Sequence, residues 1–407
     1  MLFCGGMRTT MHLSLCMIVK NEELTLPRCL ASVRDVVDEM VILDTGSTDR
    51  TIALGREWGA QVYQTTWQND FAAARNQALQ YVQGEWVLVL DGDEVLLPEV
   101  IPALKQVIHT DSLLVVNLLR QELGASQTPY SLVSRLFRRH PDLHFSRPYH
   151  EWIDPSVEDL RRREPEWQIG FLPQVAIAHT GYRSSVILEK NKMERARQIM
   201  AAYLLEHPED TYLCSKLGGL YLQMGDVQQG LQLLQQGLAA DPAESAVRYE
   251  IHYHLGLAYT DLAQLTAAAT HYQLALAEPL PDLVKLAAYL NWGNLLKEWG
   301  DVLGAETQYR RVVELAPDFA PGYYNLGLVG NAKKDYPGAI AAYEQAIHLQ
   351  PDYAHAHQNL GIVLLKIGRV ADSLAAFRRA MNLLEDQNPL EAGQLRRGLA
   401  ELGLPIH

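Results

Sequence analysis

A chain of 407 residues with 48% hydrophobic and 20% charged side chains has material for two or three domains, each with its own core. Its formal charge of −13 disfavours broad nucleic-acid binding, offers no general attraction to an anionic membrane, and no apolar run approaches a membrane span. Cys4, Cys16, Cys29 and Cys214 are scattered without CxxC or metal-ligand spacing, so neither a disulfide framework nor zinc is indicated and a reducing cytoplasm fits.

Residues 1–10 lack a secretory pattern and read as a disordered extension, with Met11 an alternative start. The run LSLCMIV (13–19) then leads into Lys20-Asn21-Glu22 and a helix-like stretch through Leu30 and Val33. The pattern repeats at 40–43, which opens onto Asp44 and a segment where Ser47, Thr48 or Asp49 can cap a helix carrying Ile52, Ala53 and Trp58. A short strand at 61–65 is followed by a helix that starts at Asn69-Asp70 and ends at Gly84.

The next apolar run, 86–90, stops on Asp91, Asp93 and Glu94. Unbroken apolar runs suit strands covered on both faces, and the crossover rule puts the polar loops after all three on one sheet edge. Carboxylates this close repel by about 1 kcal/mol when hydrated and by more when part-buried, which a divalent cation relieves; oxygen ligands favour Mg²⁺ or Mn²⁺. An Asp-Gly turn with solvated acids accounts for the segment equally well by itself. The loops carry neither GxGxxG nor GxxxxGK[ST].

Beyond Glu94 a helix-like stretch (97–108) precedes strands at 112–119 and 130–137. Residues 138–153 then concentrate arginine, histidine and aromatics in an otherwise acidic chain, chemistry suited to a nucleotide diphosphate. Asp154-Pro155 reads as a turn, and a strand at 175–178 ends at His179-Thr-Gly-Tyr182.

Four blocks, SLCMIVKNEE, VILDTGSTDRT, NDFAAARNQAL and WVLVLDGDEVL, together resemble the donor-binding half of family 2 glycosyltransferases, the GT-A fold. RLFRR followed by YHEWI, and the HTGY segment, are similar to a bacterial subgroup with a His-Glu pair that includes enzymes glycosylating peptides. The resemblance implies a nucleotide-sugar donor, UDP-linked by expectation. Asp44 would contact the base, with Val19, Asn21 and Glu22 lining its pocket. Arg75 would lie near base or diphosphate, and Asp91 near ribose or metal. Asp93 and His179 would complete a Mn²⁺ or Mg²⁺ site. Glu151 would be the base of an inverting transfer, with His150 touching phosphate or orienting that carboxylate. Asp154 is an alternative base. Structural readings stand beside these: a solvated helix face for Arg75, a helix start for Glu22, a hydrogen-bonded histidine for His150, a loop-closing one for His179.

Past Tyr182 the chain turns helical, and Gly293, Gly327 and Gly361 recur at a 34-residue step with Tyr309, Tyr343 and Phe377, the signature of tetratricopeptide repeats. Five repeats are expected at 211–244, 249–282, 286–319, 320–353 and 354–387. They would follow a GT-A domain at 11–183 and a connecting helix at 184–210, with a cap at 388–407. Asn291, Asn325 and Asn359 could grip an extended peptide in the groove or bond between repeats. The expected whole is a cytoplasmic glycosyltransferase whose α-solenoid recruits a peptide or protein acceptor, another partner, or a second copy. The rivals are a repeat scaffold with an inactive transferase domain, and a haloacid-dehalogenase-type phosphatase with Asp91 as nucleophile.

Overall fold

The computed structural model describes residues 12–125, 128–180 and 186–404. The expected extension at 1–10 and the Gly181-Tyr182 end of the HTGY segment lie outside them. The chain separates into two bodies, one ending at Val247 and one beginning at Arg248.

The first body is built on one mixed eight-stranded sheet. In chain order it contains β1 (Leu13–Val19), α1 (Leu26–Val33), β2 (Glu39–Asp44), α2 (Thr51–Glu57), β3 (Gln61–Gln64), α3 (Phe71–Leu79), β4 (Trp86–Val89) and β5 (Glu94–Leu96). A 3₁₀ turn (Pro98–Val100), α4 (Ile101–Val107), β6 (Leu113–Glu122), β7 (Tyr130–Arg138), α5 (Asp154–Arg163) and β8 (Gln168–His179) follow. The strand order is β3-β2-β1-β4-β7-β6-β8-β5, with the first four parallel and β7 antiparallel between β4 and β6.

Both faces of the sheet are covered, which is why β4 is apolar at every step and β1 at every step but Ser14, whose hydroxyl bonds Glu39. Leu13, Leu15 and Met17 pack with Leu26, Leu30 and Leu104 on one face; Cys16, Val87 and Val89 pack with Ala72, Ala78, Val157 and Leu160 on the other. Trp86 is fully buried beneath the Arg138 guanidinium, 4.9 Å from its ring. Burial of each such large side chain stabilises by roughly 1.5–3 kcal/mol. The parallel arrangement sends Val19, Asp44 and the residues after Val89 to a common edge.

Three elements depart from the expectation. β5 is three residues long and owes its existence to pairing with β8, where Glu94 faces His179. β8 starts at Gln168 rather than near 175, its first half being half-exposed and without a clean pattern. The turn expected at Asp154-Pro155 is the start of α5; only Ser156, Val157 and Leu160 are buried, too few apolar positions to reveal a helix.

α6 (Val186–Glu206), α7 (Thr211–Gln223) and α8 (Val227–Ala239) complete the first body. Met200, Leu204, Leu213 and Leu217 form a small core there against Tyr149. Asp210 caps α7 by accepting from the Leu213 N–H at 2.9 Å, and Asp226 caps α8 through Gln229.

Within the second body, α9 (Ser245–Asp261, entered at Arg248) pairs with α10 (Leu265–Ala277), α11 (Leu286–Glu298) with α12 (Val302–Leu315), α13 (Ala320–Ala332) with α14 (Tyr336–Leu349), and α15 (Ala354–Lys366) with α16 (Val370–Gln387). α17 (Pro389–Glu401) follows. Each pair closes on one notch: a Cβ on Gly256, Gly293, Gly327 or Gly361 would come within 2.9 Å of a ring carbon of Tyr272, Tyr309, Tyr343 or Phe377 respectively. Two of the recurring asparagines work between repeats, Asn291 donating to the Tyr253 hydroxyl and Asn359 to that of Tyr324, while Asn325 is buried and bonds Pro321 within its own helix. Among the described residues no helix is long and apolar enough to cross a membrane.

Candidate active site

The loops after β1 and β2 are tied to each other. Asn21, at φ +56°, donates its N–H to Ser47 and accepts from the Thr48 N–H at 2.8 Å, and the Glu22 N–H bonds the Thr51 hydroxyl. Asp49 accepts from the N–H and hydroxyl of Thr51, the first residue of α2, from one position before the N-cap Arg50. Val19 turns its side chain into the core and offers the loop only its carbonyl, which accepts from Thr45.

Asp44 is fully buried. Oδ1 accepts from the N–H groups of Gly46 (3.0 Å) and Ser47 (2.9 Å), and Oδ2 is buried with no hydrogen-bond partner. A buried acceptor without a donor is costly to fold around, and suits a ligand N–H.

Arg75 organises the rest. It sits on α3, a helix started by the Asp70 cap, and is 3% exposed rather than solvated. Its Nε donates to Glu151 Oε1 at 2.5 Å and its Nη2 to Asp91 Oδ1 at 2.5 Å, so one guanidinium joins the predicted base to the predicted donor-side carboxylate. The neighbouring Asn76 makes a two-way bond with the Phe145 backbone, fixing the start of the loop that carries Glu151. Burial works against the Arg75 charge, but Asp91 and Glu151 more than restore it and raise its pKa.

Asp91 meets a second arginine, Arg135 on β7, whose Nη2 donates to Oδ2 at 3.2 Å. Burial alone would raise the Asp91 pKa; Arg135 and Arg75 outweigh it and hold the carboxyl far below the usual range. Arg135 Nη1 is buried without a partner. Glu22 approaches from the β1 loop so closely that a Cβ on Gly92 would lie 2.8 Å from its Cγ. Burial raises the Glu22 carboxyl, and Asp93 and Asp91 push it the same way, against a hydrogen bond from Thr25.

A buried chain of ionic contacts closes behind the turn. Glu94 is fully buried, its Oε2 accepting from the Asp91 N–H at 2.8 Å and its Oε1 from Arg120 at 2.9 Å. Arg120 also pairs with Glu122, Glu122 bonds His179 Nδ1 at 2.5 Å, and His179 Nε2 lies 3.1 Å from Asp93 Oδ2. Burial disfavours the imidazolium, yet the bonds to Asp93 and Glu122 carry His179 up to about 10. The path runs from one end of the Asp91-Gly92-Asp93 turn to the other through four side chains.

Two of the expected roles meet other partners here. Asp91, Asp93 and His179 do not form a ready three-ligand cage: among the described residues no three His, Cys, Asp or Glu side chains gather so, because Asp91 is engaged by two arginines while Asp93 and His179 hold each other. Asp154 accepts from Ser134; burial pushes its carboxyl up to about 7, with Glu158 and Glu244 pushing the same way against that hydrogen bond. His150, at φ +53°, is exposed with its ring edge on Tyr149. Arg135, Arg120, Glu122 and Glu94 were missed by sequence reasoning. The available signal was a charged residue interrupting an apolar strand, as in LLVVNLLRQE and YSLVSRLF.

The model of glycosyl transferase family 2 matches residues 14–170, and tetratricopeptide repeat models match 188–249 and 331–368. A TPR repeat-containing protein of Synechococcus elongatus is 46% identical over 306 residues, 75% of this chain and 76% of that protein. The prophage-derived glycosyltransferase SunS of Bacillus subtilis is 25% identical over 197 residues, 47% of this chain, and the match spans 45% of SunS. A Rickettsia felis protein described as an uncharacterized glycosyltransferase is 34% identical over 82 residues, 20% of this chain and 29% of its own. These matches support a glycosyltransferase rather than a phosphatase.

Proposed function

Because the chain belongs to the family 2 glycosyltransferases that carry tetratricopeptide repeats, we propose that it transfers a sugar, with inversion, from a UDP-sugar to a peptide or protein acceptor recruited by the repeats, with a divalent metal at the diphosphate. The observation that carries this reading is the Arg75 bridge, which puts the base and the donor-side carboxylate on one guanidinium.

Asp44 Oδ2, lacking a donor in the protein, takes the imide N–H of uracil, and the tied loops around Asn21 and Glu22 form the walls of the base pocket. The free Arg135 Nη1 donates to the diphosphate. Asp93 supplies the carboxylate oxygen that suits a hard cation, and His179 would join it only by giving up the proton it now shares with Asp93; when bound, Mn²⁺ or Mg²⁺ would neutralise charge on the diphosphate. Glu151 accepts the acceptor's proton as the acceptor heteroatom bonds the anomeric carbon and the bond from that carbon to the diphosphate oxygen breaks. Arg75 aims Glu151 through its Nε bond, and Asp91 in turn holds Arg75.

Calorimetry with UDP-, GDP- and CMP-sugars, with and without Mn²⁺, tests the donor assignment. Tight binding of a UDP-sugar that weakens without Mn²⁺ and in Asp93→Ala is expected; binding indifferent to both removes the metal. Hydrolysis of the best donor in Glu151→Gln tests the base.

A further inference from the structure

We propose that the first helix pair of the repeat region is a working part of the active site: Asp210 and Tyr212 of α7 clasp the strained loop that carries Glu151 and hold its carboxylate in position. The proposal rests on the assignment of Glu151 as base.

The loop cannot set its own shape. Arg147 (φ +73°) and His150 (φ +53°) both take left-handed backbone conformations that non-glycine residues avoid, within the tight loop that the Ser146–Trp152 bridge closes with two backbone hydrogen bonds. Such a loop keeps its form only when its surroundings over-determine it. On one side α3 does so, with Pro148 accepting from the Phe71 N–H, Phe71 edge-on to Tyr149, and Asn76 paired with Phe145.

On the other side the contacts come from α7. Arg147 forks onto Asp210, Nε to Oδ2 at 2.6 Å and Nη2 to Oδ1 at 3.0 Å, with both side chains about nine-tenths buried. Asp210 is itself fixed as the cap of α7. The Arg147 guanidinium lies 4.8 Å from the Tyr212 ring, and Tyr212 stacks on Trp152 at 4.4 Å with planes 21° apart. These two gripped residues flank Glu151 in sequence, Trp152 being its immediate neighbour.

The α6–α7 core packs against Tyr149, but a cleft of about 280 Å³ opens beside the clasp, lined by Arg147, Trp152, Tyr203, His207 and Tyr212, so Arg147 and Trp152 depend on directed contacts. A bidentate, desolvated arginine–carboxylate pair is the most geometrically specific of these, and lysine does not replace it. Asp210 and Arg147 are therefore positioning residues that act through Glu151.

The test uses the full chain and hydrolysis of UDP-glucose, UDP-galactose and UDP-N-acetylglucosamine with Mn²⁺, plus amide hydrogen exchange of residues 146–152. Asp210→Asn keeps a helix cap but loses the charge; Arg147→Lys keeps the charge but loses the fork. Each is expected to lower kcat about tenfold or more with little change in donor KM, since small misplacements of a reacting group are costly. Each should also speed loop exchange, and add no further loss in a Glu151→Gln background. Asp226→Ala removes the cap of α8 without touching the loop, and should leave kcat unchanged. Unchanged kcat and loop exchange in Asp210→Asn, or a donor KM that rises in step with falling melting temperature, overturns the clasp. Wild-type turnover in Glu151→Gln instead overturns the base assignment, a failure recognisable apart from the first.

Discussion

The strand-end cluster and the helical repeats solve the same problem, holding side chains in one arrangement, by opposite means. In the cluster Arg75, Asp91, Arg135 and Glu151 come from four separate segments, and each charge is satisfied by the others. In the repeats each aromatic ring fills a glycine notch sixteen residues before it, and the same contact returns with every pair. One arrangement is polar, unique and non-local; the other is apolar, local and repeated. Damage to the first should therefore cost function, and damage to the glycine notches of the second should cost stability and leave donor hydrolysis intact.

Arg75→Ala attacks the comparison at its strongest point. It leaves two nearby carboxylates without their shared cation, and breaking a buried pair typically costs about 3–5 kcal/mol. Donor hydrolysis should fall roughly a hundredfold or more, as when an electrostatic donor is lost from an active site. Near-normal hydrolysis, with unfolding by urea unchanged, would show that the cluster is not organised by this arginine.

Glu94→Gln should be milder. Its carboxylate supports the Asp91 backbone and Arg120 at one remove from the chemistry, and losses from such supporting groups run about 10–100-fold. A steady-state comparison with Mn²⁺ measures this; a change in donor affinity with kcat intact would mean that Glu94 shapes the pocket rather than the turn.

Gly327→Ala sharpens the other side. The added Cβ would sit 2.4 Å from a Tyr343 ring carbon, and overpacking of this kind costs about 1–3 kcal/mol. Chemical unfolding should register the loss while donor hydrolysis stays at the wild-type rate; a parallel fall in hydrolysis would erase the contrast between the regions.

The smallest effect concerns pH. Burial raises the Asp154 carboxyl from 3.8 to about 7, so between those values the folded protein retains a proton that the unfolded chain has shed. Stability from this group is complete at low pH, declines as pH rises through that window, and is level above it. Asp154→Asn should flatten the decline, melting higher than wild type at pH 8 and showing no such advantage at pH 4. An identical difference at both values would refute the raised carboxyl.

Much of the fold was legible because the information is local. The apolar runs within β1, β2 and β4, nearly free of polar residues, announce strands covered on both faces, and the 34-residue step announces stacked helix pairs. β5 and α5 were not legible: the first is a strand only because His179 returns beside Glu94, and the second buries only Ser156, Val157 and Leu160. At the candidate site the residue types at Asp44, Arg75, Asp91, Asp93, Glu151 and His179 stood out, but their pairing did not. Asp91 looked like a metal ligand and is gripped by two arginines; Glu94 looked idle and supports the turn.

What the sequence determined by itself is therefore periodic: two strand-rich and helix-rich regions, their order, and the strand ends where polar groups must gather. What only the tertiary structure decided is which charges neutralise which. A hydrophobic face is specified by residues a few positions apart, whereas the ion pair of Arg75 with Glu151 spans 76 positions and that of Arg147 with Asp210 spans 63. No local spacing encodes such a pair; it exists because sheet order and helix docking bring opposite charges out of water at one place, where each needs the other.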